Sequence, residues 1–305
     1  MVVVFNCRFN NRLEYLVGKN NGILCLQPLV PYDELACEFL NSLSTLLLAH
    51  DTARFYPDII SLAYWCRKAN IAKLKKEFQE RHIRLGLGMV FHITPSNVPI
   101  IFAFSYAFSL LAGNANILRV PTKDFPQTRI ICDVINQLVA DEKYKKIADM
   151  TLFVRYAQDD EITGYFSSKC NVRIIWGGNQ TINNIRKFTI PERSIEIAFA
   201  DRYSFCVING NSILQSDSET LNKLAISFYN DTYLMDQNAC SSPHLVIWVG
   251  QGDDLKKAKK RFWDNVYQAA VSKYELHPVN SIDKYTQICK NAIDLSNIID
   301  RIYRM

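Results

Sequence analysis

The chain has 305 residues, of which 49% are hydrophobic and 21% charged, enough for two packed globular domains. Its net charge of +5 and pI near 8.6 are too mild to point to nucleic acid as a partner. The nine cysteines, at 7, 25, 37, 66, 132, 170, 206, 240 and 289, contain no CxxC pair and no zinc-spaced His/Cys cluster. Neither a disulfide framework nor a bound metal is expected, and a reducing cytoplasm fits the thiol content.

The amino terminus, Met1-Val-Val-Val-Phe-Asn-Cys-Arg8, lacks the regions of a signal peptide and reads as a strand. Extended pieces with a turn at Lys19-Asn-Asn-Gly22 follow. Apolar residues at three- and four-residue steps predict helices from Asp33 to about Leu48 and from Tyr56 to about Arg81. Leu85 to Ile93 is a buried strand, and the loop Thr94-Pro-Ser-Asn-Val-Pro99 leads into the most apolar stretch, Val98 to Ala112. That stretch is 15 residues long and carries Ser105, Tyr106 and Ser109, so it reads as a buried helix and not as a membrane span.

Strands at Asn116–Val120, Met150–Arg155 and Asn171–Trp176 then alternate with helices at Pro126–Asp141, Asp159–Ser168 and Gln180–Lys187. Short apolar strands alternating with helices predict an α/β fold around a parallel sheet. The rhythm changes near 201, with strands at Tyr203–Ile208 and Pro243–Val249 and helices at Ser218–Tyr229 and about Asp254–Val271. The basic run Lys256-Lys-Ala-Lys-Lys-Arg261 reads as a solvated helix face. The expected division is a first domain over 1–200 and a second over 201–305.

There is no GxGxxG; Leu85-Gly-Leu-Gly88 holds only a GxG on the strand side. The informative combination is three loops, each expected to follow a strand: Ile93 to Pro99, Gly113-Asn-Ala-Asn-Ile-Leu-Arg-Val-Pro121 and Trp176-Gly-Gly-Asn179. Ligands of open α/β sheets bind beyond the carboxyl ends of strands, so such segments can line one crevice. A fourth segment, Met235-Asp-Gln-Asn-Ala-Cys-Ser-Ser-Pro243, falls in the second domain.

These segments, in this order, resemble the cofactor-binding half of the aldehyde dehydrogenase superfamily. The Asp236-Gln-Asn-Ala-Cys-Ser-Ser-Pro243 segment resembles one branch of it, the LuxC-type acyl-CoA reductases of bacterial luminescence fatty-acid reductase complexes. The resemblance runs over roughly residues 80 to 250, with 240 − 97 = 143 residues between the asparagine and the cysteine. It implies an aldehyde-dehydrogenase-like α/β fold: a parallel-sheet cofactor domain plus an incomplete second α/β catalytic domain.

The resemblance also implies roles. Cys240 matches the nucleophile, whose thiolate attacks an acyl carbonyl and holds the acyl group as an enzyme thioester. Asn97 matches the side-chain amide that forms an oxyanion hole with the Cys240 backbone N–H. Thr94, Pro95 and Ser96 match the loop beside the nicotinamide, and Gly177 and Gly178 the small pair against the pyrophosphate. Arg119 stands where relatives carry lysine against the adenosine ribose. A guanidinium there can fork onto a 2′-phosphate, which implies NADPH in preference to NADH. The implied reaction is NADPH-dependent reduction of long-chain acyl groups to aldehyde, delivered by acyl-CoA or an acyl-protein synthetase.

Oxidative relatives activate water with a glutamate followed by Leu-Gly-Gly. Ser194 to Asp201 stands in that region with Glu196 as a possible counterpart and without the glycines, which favours reduction. The chain ends 305 − 240 = 65 residues after Cys240, at Asp300-Arg-Ile-Tyr-Arg-Met305, so a C-terminally truncated chain is expected. Full-length members imply a homo-oligomer through a later strand. Two alternatives stay open: a cofactor-independent cysteine acyltransferase or thioesterase, and an inactive remnant that binds only nucleotide or a partner. His244 and His92, both in strands, are expected to be buried packing or hydrogen-bonding residues.

Overall fold

The structure is a computed structural model that describes residues 2–4, 9, 12–18, 23–78, 82–200, 202–234, 237, 239–274 and 278–294. The turn expected at 19–22, Cys7 and the chain end at 300–305 lie outside the described residues. So do Met235, Asp236 and Asn238, upstream of Cys240. The chain divides into two compact units, Met1–Asp201 and Arg202–Met305.

In the first unit, β1 (Val2–Val4) pairs antiparallel with β3 (Ile23–Cys25). The main sheet is built from β2 (Glu14–Val17), β4 (Met89–Ile93), β5 (Ala115–Arg119), β6 (Thr151–Arg155), β7 (Val172–Trp176) and β8 (Ile195–Phe199), in the order β2-β6-β5-β4-β7-β8. Only β2 runs antiparallel. From β4 the chain moves outward through β5 and β6, then returns to the other flank of β4 for β7 and β8. This is the strand order of a doubly wound sheet, and its direction reverses between β4 and β7.

The helices of this unit are α1 (Glu34–Ala49), α2 (Pro57–Trp65), α3 (Lys68–Phe78), α4 (Ile101–Leu111), α5 (Pro126–Val139), α6 (Lys145–Ala148), α7 (Asp160–Ser167) and α8 (Asn179–Arg186). The single helix expected over 56–81 is two, α2 and α3, parted at buried Cys66 and the following Arg67. All five residues of β4 are buried, as continuous apolar strands of parallel sheets require. The α4 helix buries Phe102, Tyr106, Leu110 and Leu111. Phe102 and Tyr106 meet Phe153 of β6 edge to face at 5.9 and 5.0 Å. Among the described residues no helix is long and apolar enough to cross a membrane.

The GxG glycines have a structural use. A side chain on Gly86 would strike the Gly113 carbonyl at 2.1 Å, and Gly88 holds φ +120 beside Asn171. Both sit where the chain enters β4, at the amino edge of the sheet, away from the edge where dinucleotides bind.

The second unit is also α/β. Parallel strands β9 (Ser204–Asn209) and β10 (Pro243–Val249) are joined through α9 (Gly210–Gln215) and α10 (Ser218–Thr232), and α11 (Gly252–Ala270) and α12 (Pro278–Asp294) follow. Its small core is Ile213, Leu221, Ala225, Ala258, Phe262 and Val266, with Ile208 and Trp248 packed against it. The basic run lies on α11. Lys256, Lys257 and Lys260 pair with Asp253, Asp254 and Asp264, while Arg261 donates to the carbonyls of Ile213, Leu214 and Ser216 at the end of α9. The run's lysines form a solvated face, while Ala258 lies in the core and Arg261 is tied to α9.

Candidate active site

Three strand ends adjoin at the carboxyl edge of the first unit's sheet. In register, Ile93 of β4 faces Arg119 of β5 on one side and Ile175 of β7 on the other. Thr94 Oγ1 donates to the Arg119 carbonyl at 2.8 Å and so ties the loop after β4 to the end of β5. Thr94 and Pro95 are half-buried, Ser96 and Asn97 are exposed, and Pro99 is buried, so the loop is anchored at its ends and projects at Ser96-Asn97.

The Arg119 guanidinium lies over the Tyr156 ring, 4.6 Å from its centroid, with a long 3.4 Å bond to the Ala157 carbonyl. The Gly113-Asn114 part of that segment lies elsewhere. It enters β5 at the amino edge, where the Asn114 side chain accepts from the Leu87 amide. Only Arg119 to Pro121 reaches the carboxyl edge, because the segment contains the strand itself.

After β7, Gly177 and Gly178 turn the chain into α8. A side chain on Gly177 would come within 3.0 Å of Thr181 Cγ2, a tight fit that Thr181 would have to relieve. Gly178 is the N-cap of α8 and offers no side chain to its first-turn amides. Bare backbone at a helix start suits an anion, because the free N–H groups and the helix dipole both favour negative charge.

Two polar residues beneath this edge were given no site role from the sequence. Trp176, the last residue of β7, stacks on Phe199 at 3.9 Å, and its indole N–H donates to Ser105 Oγ at 3.2 Å. The signal available was a serine inside the most apolar helix and a tryptophan directly before the glycine pair. His92 is fully buried, as expected, and hydrogen-bonded at both ring nitrogens.

Glu196 is not an open carboxylate. Its Oε2 accepts from Arg173 Nε at 3.0 Å and Nη2 at 2.5 Å, and its Oε1 accepts from Arg186 Nε at 2.7 Å. Burial works to raise its pKa, but the bonds from Arg186 and Arg173 outweigh it and hold the carboxyl below its usual range. A carboxylate so engaged is a poor base for activating water.

In the second unit, Cys240 lies in the turn before β10. Ser204 Oγ donates to the Cys240 carbonyl at 2.7 Å, and Ser242 Oγ donates to the Asp231 carbonyl at 2.7 Å, so the turn is pinned on both sides. Gln237 holds φ +60 within it. Among the described cysteines, Cys240 alone is exposed. Burial pushes the thiols of Cys66 and Cys132 up to about 12 and that of Cys170 to about 11, which keeps them protonated and inert. His244 is exposed, contrary to expectation, and its ring tilts over Tyr203 at 5.5 Å. The strand pattern misled because β10 turns Leu245, Ile247 and Val249 outward together with their β9 neighbours Phe205 and Val207. No His/Cys/Asp/Glu cluster able to hold a metal occurs among the described residues.

A family model described as acyl-CoA reductase (LuxC) matches residues 40–284, most of the chain. The chain belongs to the LuxC acyl-CoA reductase family. That is a family of oxidoreductase enzymes, and the resemblance read from the four segments is upheld. A search of curated proteins finds no match.

The fold is similar to that of aldehyde dehydrogenases of known structure. Lactaldehyde dehydrogenase from Escherichia coli matches at 13% identity and TM-score 0.52, covering 78% of this chain and 51% of that one. A NAD-dependent aldehyde dehydrogenase from Sinorhizobium meliloti matches at 12% and TM-score 0.56, covering 79% and 50%. An indole-3-acetaldehyde dehydrogenase complexed with NAD+ matches at 12% and TM-score 0.55, covering 77% and 49%. At these identities the likeness concerns fold. This LuxC-family chain spans about half the length of the solved structures it matches.

Proposed function

We propose that this protein reduces activated long-chain acyl groups to aldehydes through an acyl thioester on Cys240, with NADPH as the hydride source. The observation that carries the reading is that one family match, residues 40–284, contains Thr94 to Asn97, Arg119, Gly177, Gly178 and Cys240 together. The first unit is the dinucleotide-binding domain in this reading, and the second carries the nucleophile.

The Cys240 thiolate adds to the carbonyl of an acyl-CoA, or of an acyl group brought by an acyl-protein synthetase. The carrier leaves, and the acyl group stays as an enzyme thioester. NADPH, when bound, supplies a hydride to that carbonyl carbon. The resulting thiohemiacetal collapses, the aldehyde departs, and Cys240 returns to thiolate. Asn97 donates its amide N–H to the carbonyl oxygen as negative charge gathers there, an interaction worth about 3 to 4 kcal/mol in the barrier.

The chain's own residues fit a nicotinamide dinucleotide. The bare Gly177-Gly178 turn and the uncapped start of α8 suit the pyrophosphate. Thr94, Pro95 and Ser96 flank the same edge for the nicotinamide. NADPH is favoured over NADH by Arg119 at the end of β5 and Lys123 beyond it, where residues 119–123 carry no carboxylate to accept from a ribose 2′-hydroxyl. The next acid, Asp124, is occupied by Arg129. The engagement of Glu196 favours reduction over hydrolysis, because a carboxylate that accepts from two arginines is a poor base for activating water.

The test is to incubate the protein with a long-chain acyl-CoA and NADPH, following nucleotide absorbance and aldehyde together. Stoichiometric loss of NADPH and gain of aldehyde is the expected result. Release of CoA without nucleotide consumption would identify a thioesterase or acyltransferase instead, and nucleotide binding without acylation an inactive remnant.

A further inference from the structure

We propose that His92, Ser105 and Trp176 form a positioning relay that sets the gap between the Thr94–Pro99 loop and the Gly177-Gly178 turn, and through it the grip on the dinucleotide. The inference rests on the cofactor reading above and goes beyond it by naming residues that touch neither substrate nor cofactor.

The relay is one connected set of hydrogen bonds beneath the carboxyl edge. Asn116 Nδ2 donates to the Asn114 carbonyl at 2.7 Å, which turns Asn116 Oδ1 toward His92 Nε2 at 3.0 Å. An amide oxygen only accepts, so Nε2 carries a proton, and in the neutral ring Nδ1 is then bare. The Ser105 hydroxyl therefore donates to His92 Nδ1, 2.8 Å away. That leaves the Ser105 oxygen to accept from the Trp176 indole N–H at 3.2 Å. In this arrangement the His92, Ser105 and Trp176 donors each have an acceptor, with a neutral histidine; burial agrees, lowering its pKa to about 4.

The three residues sit on three different elements. His92 is next to last in β4, one residue before Ile93 and the loop that follows. Ser105 lies in the second turn of α4, which that loop enters. Trp176 ends β7 directly before Gly177, its ring held flat on Phe199. Ser105 Oγ thus joins the exit of β4, the start of α4 and the exit of β7 at one atom. These two exits flank the point where the sheet order reverses, the crevice where open α/β sheets bind ligands. Apolar side chains would fill this space more cheaply than a buried polar chain, whose value lies in fixing orientation.

The test measures NADPH and NADH dissociation constants by nucleotide fluorescence, with thermal midpoints, for wild type and its variants. Ser105→Ala removes the shared atom. Trp176→Phe keeps an aromatic ring to stack on Phe199 and removes the N–H together with part of the indole. Tyr106→Phe is the control, because it deletes another buried hydrogen bond of α4, to Thr151 Oγ1 at 2.9 Å, outside the relay. The expected result is about five- to tenfold weaker nucleotide binding for Ser105→Ala and for Trp176→Phe, as loss of an orienting hydrogen bond implies. The double variant weakens no further than Ser105→Ala, and Tyr106→Phe stays within about twofold of wild type despite a lowered midpoint. Unchanged affinity in Trp176→Phe, or equal weakening in Tyr106→Phe, overturns the relay and leaves the cofactor reading standing. Wild type that binds neither nucleotide overturns both.

Discussion

Glu196 lies directly opposite Arg173 in the β7–β8 register, and the side chain of that arginine is 3% exposed. The carboxylate is the counter-charge of a buried cation. Glu196→Ala leaves Arg173 with its bond to the Phe188 carbonyl but no ion partner. The expected loss is on the order of 3 kcal/mol in urea unfolding, typical of removing one member of a buried pair. The rate at which an acyl group on Cys240 is lost to water should not change. A slower hydrolysis with an unshifted urea midpoint would restore Glu196 as a base.

Cys240 is the exposed thiol among the described cysteines, and Cys66, Cys132 and Cys170 are buried. Limiting iodoacetamide should therefore alkylate Cys240 well before those three, read by peptide mass spectrometry. Cys240→Ala should abolish the hydroxylamine-labile adduct formed with an acyl-CoA. Its unfolding free energy should stay within about 0.5 kcal/mol of wild type, as for most surface substitutions. Persistence of the adduct in Cys240→Ala would move the nucleophile to another residue.

The parallel sheet was legible because β4 to β7 are short, continuous apolar runs that periodicity marks well. Edge strand β8 was not, since Ile195 and Ile197 face outward and Glu196 interrupts the apolar run. Helix α9 escaped notice for a related reason: its six residues are too few to carry a long apolar stripe. At the candidate site, Thr94 to Asn97, Arg119 and the glycine pair could be read from family-like segments. Ser105 and Trp176 could not, because their relation is a single hydrogen bond across 71 residues of chain. The role of Glu196 stayed open in the sequence, which shows a carboxylate and not the two arginines that occupy it.

Arg119 gives a prediction about nucleotide choice. Its guanidinium rests on Tyr156 at the carboxyl end of β5, a stacked site that lysine does not reproduce. Arg119→Ala should weaken NADPH by about ten- to a hundredfold, the range for losing charge-assisted bonds to a phosphate. NADH affinity should change far less. Titration of both nucleotides against wild type and variant decides it. A parallel loss for both would mean that Arg119 supports the fold of the edge and does not read the 2′-phosphate.

His92 ties folding stability to pH. The imidazole takes a proton near 6.5 when free in water and only near 4 in the folded chain, because burial disfavours the charged ring. Between those values the unfolded chain binds more protons than the folded one, so stability rises with pH across that window. The stability is full above about pH 6.5 and falls by roughly 2 to 3 kcal/mol on going to pH 4.5, since each pH unit crossed inside the window costs about 1.4 kcal/mol. His92→Gln keeps a donor for Asn116 and cannot titrate. Subtracting its urea-unfolding free energies from those of wild type, measured from pH 7.5 to 4.5, cancels the carboxylates common to both proteins. The difference should slope downward with acid through pH 6. A flat difference would mean that the ring is protonated in the fold, with Ser105 accepting from it, and the hydrogen-bond direction assigned through Ser105 to Trp176 would then be wrong.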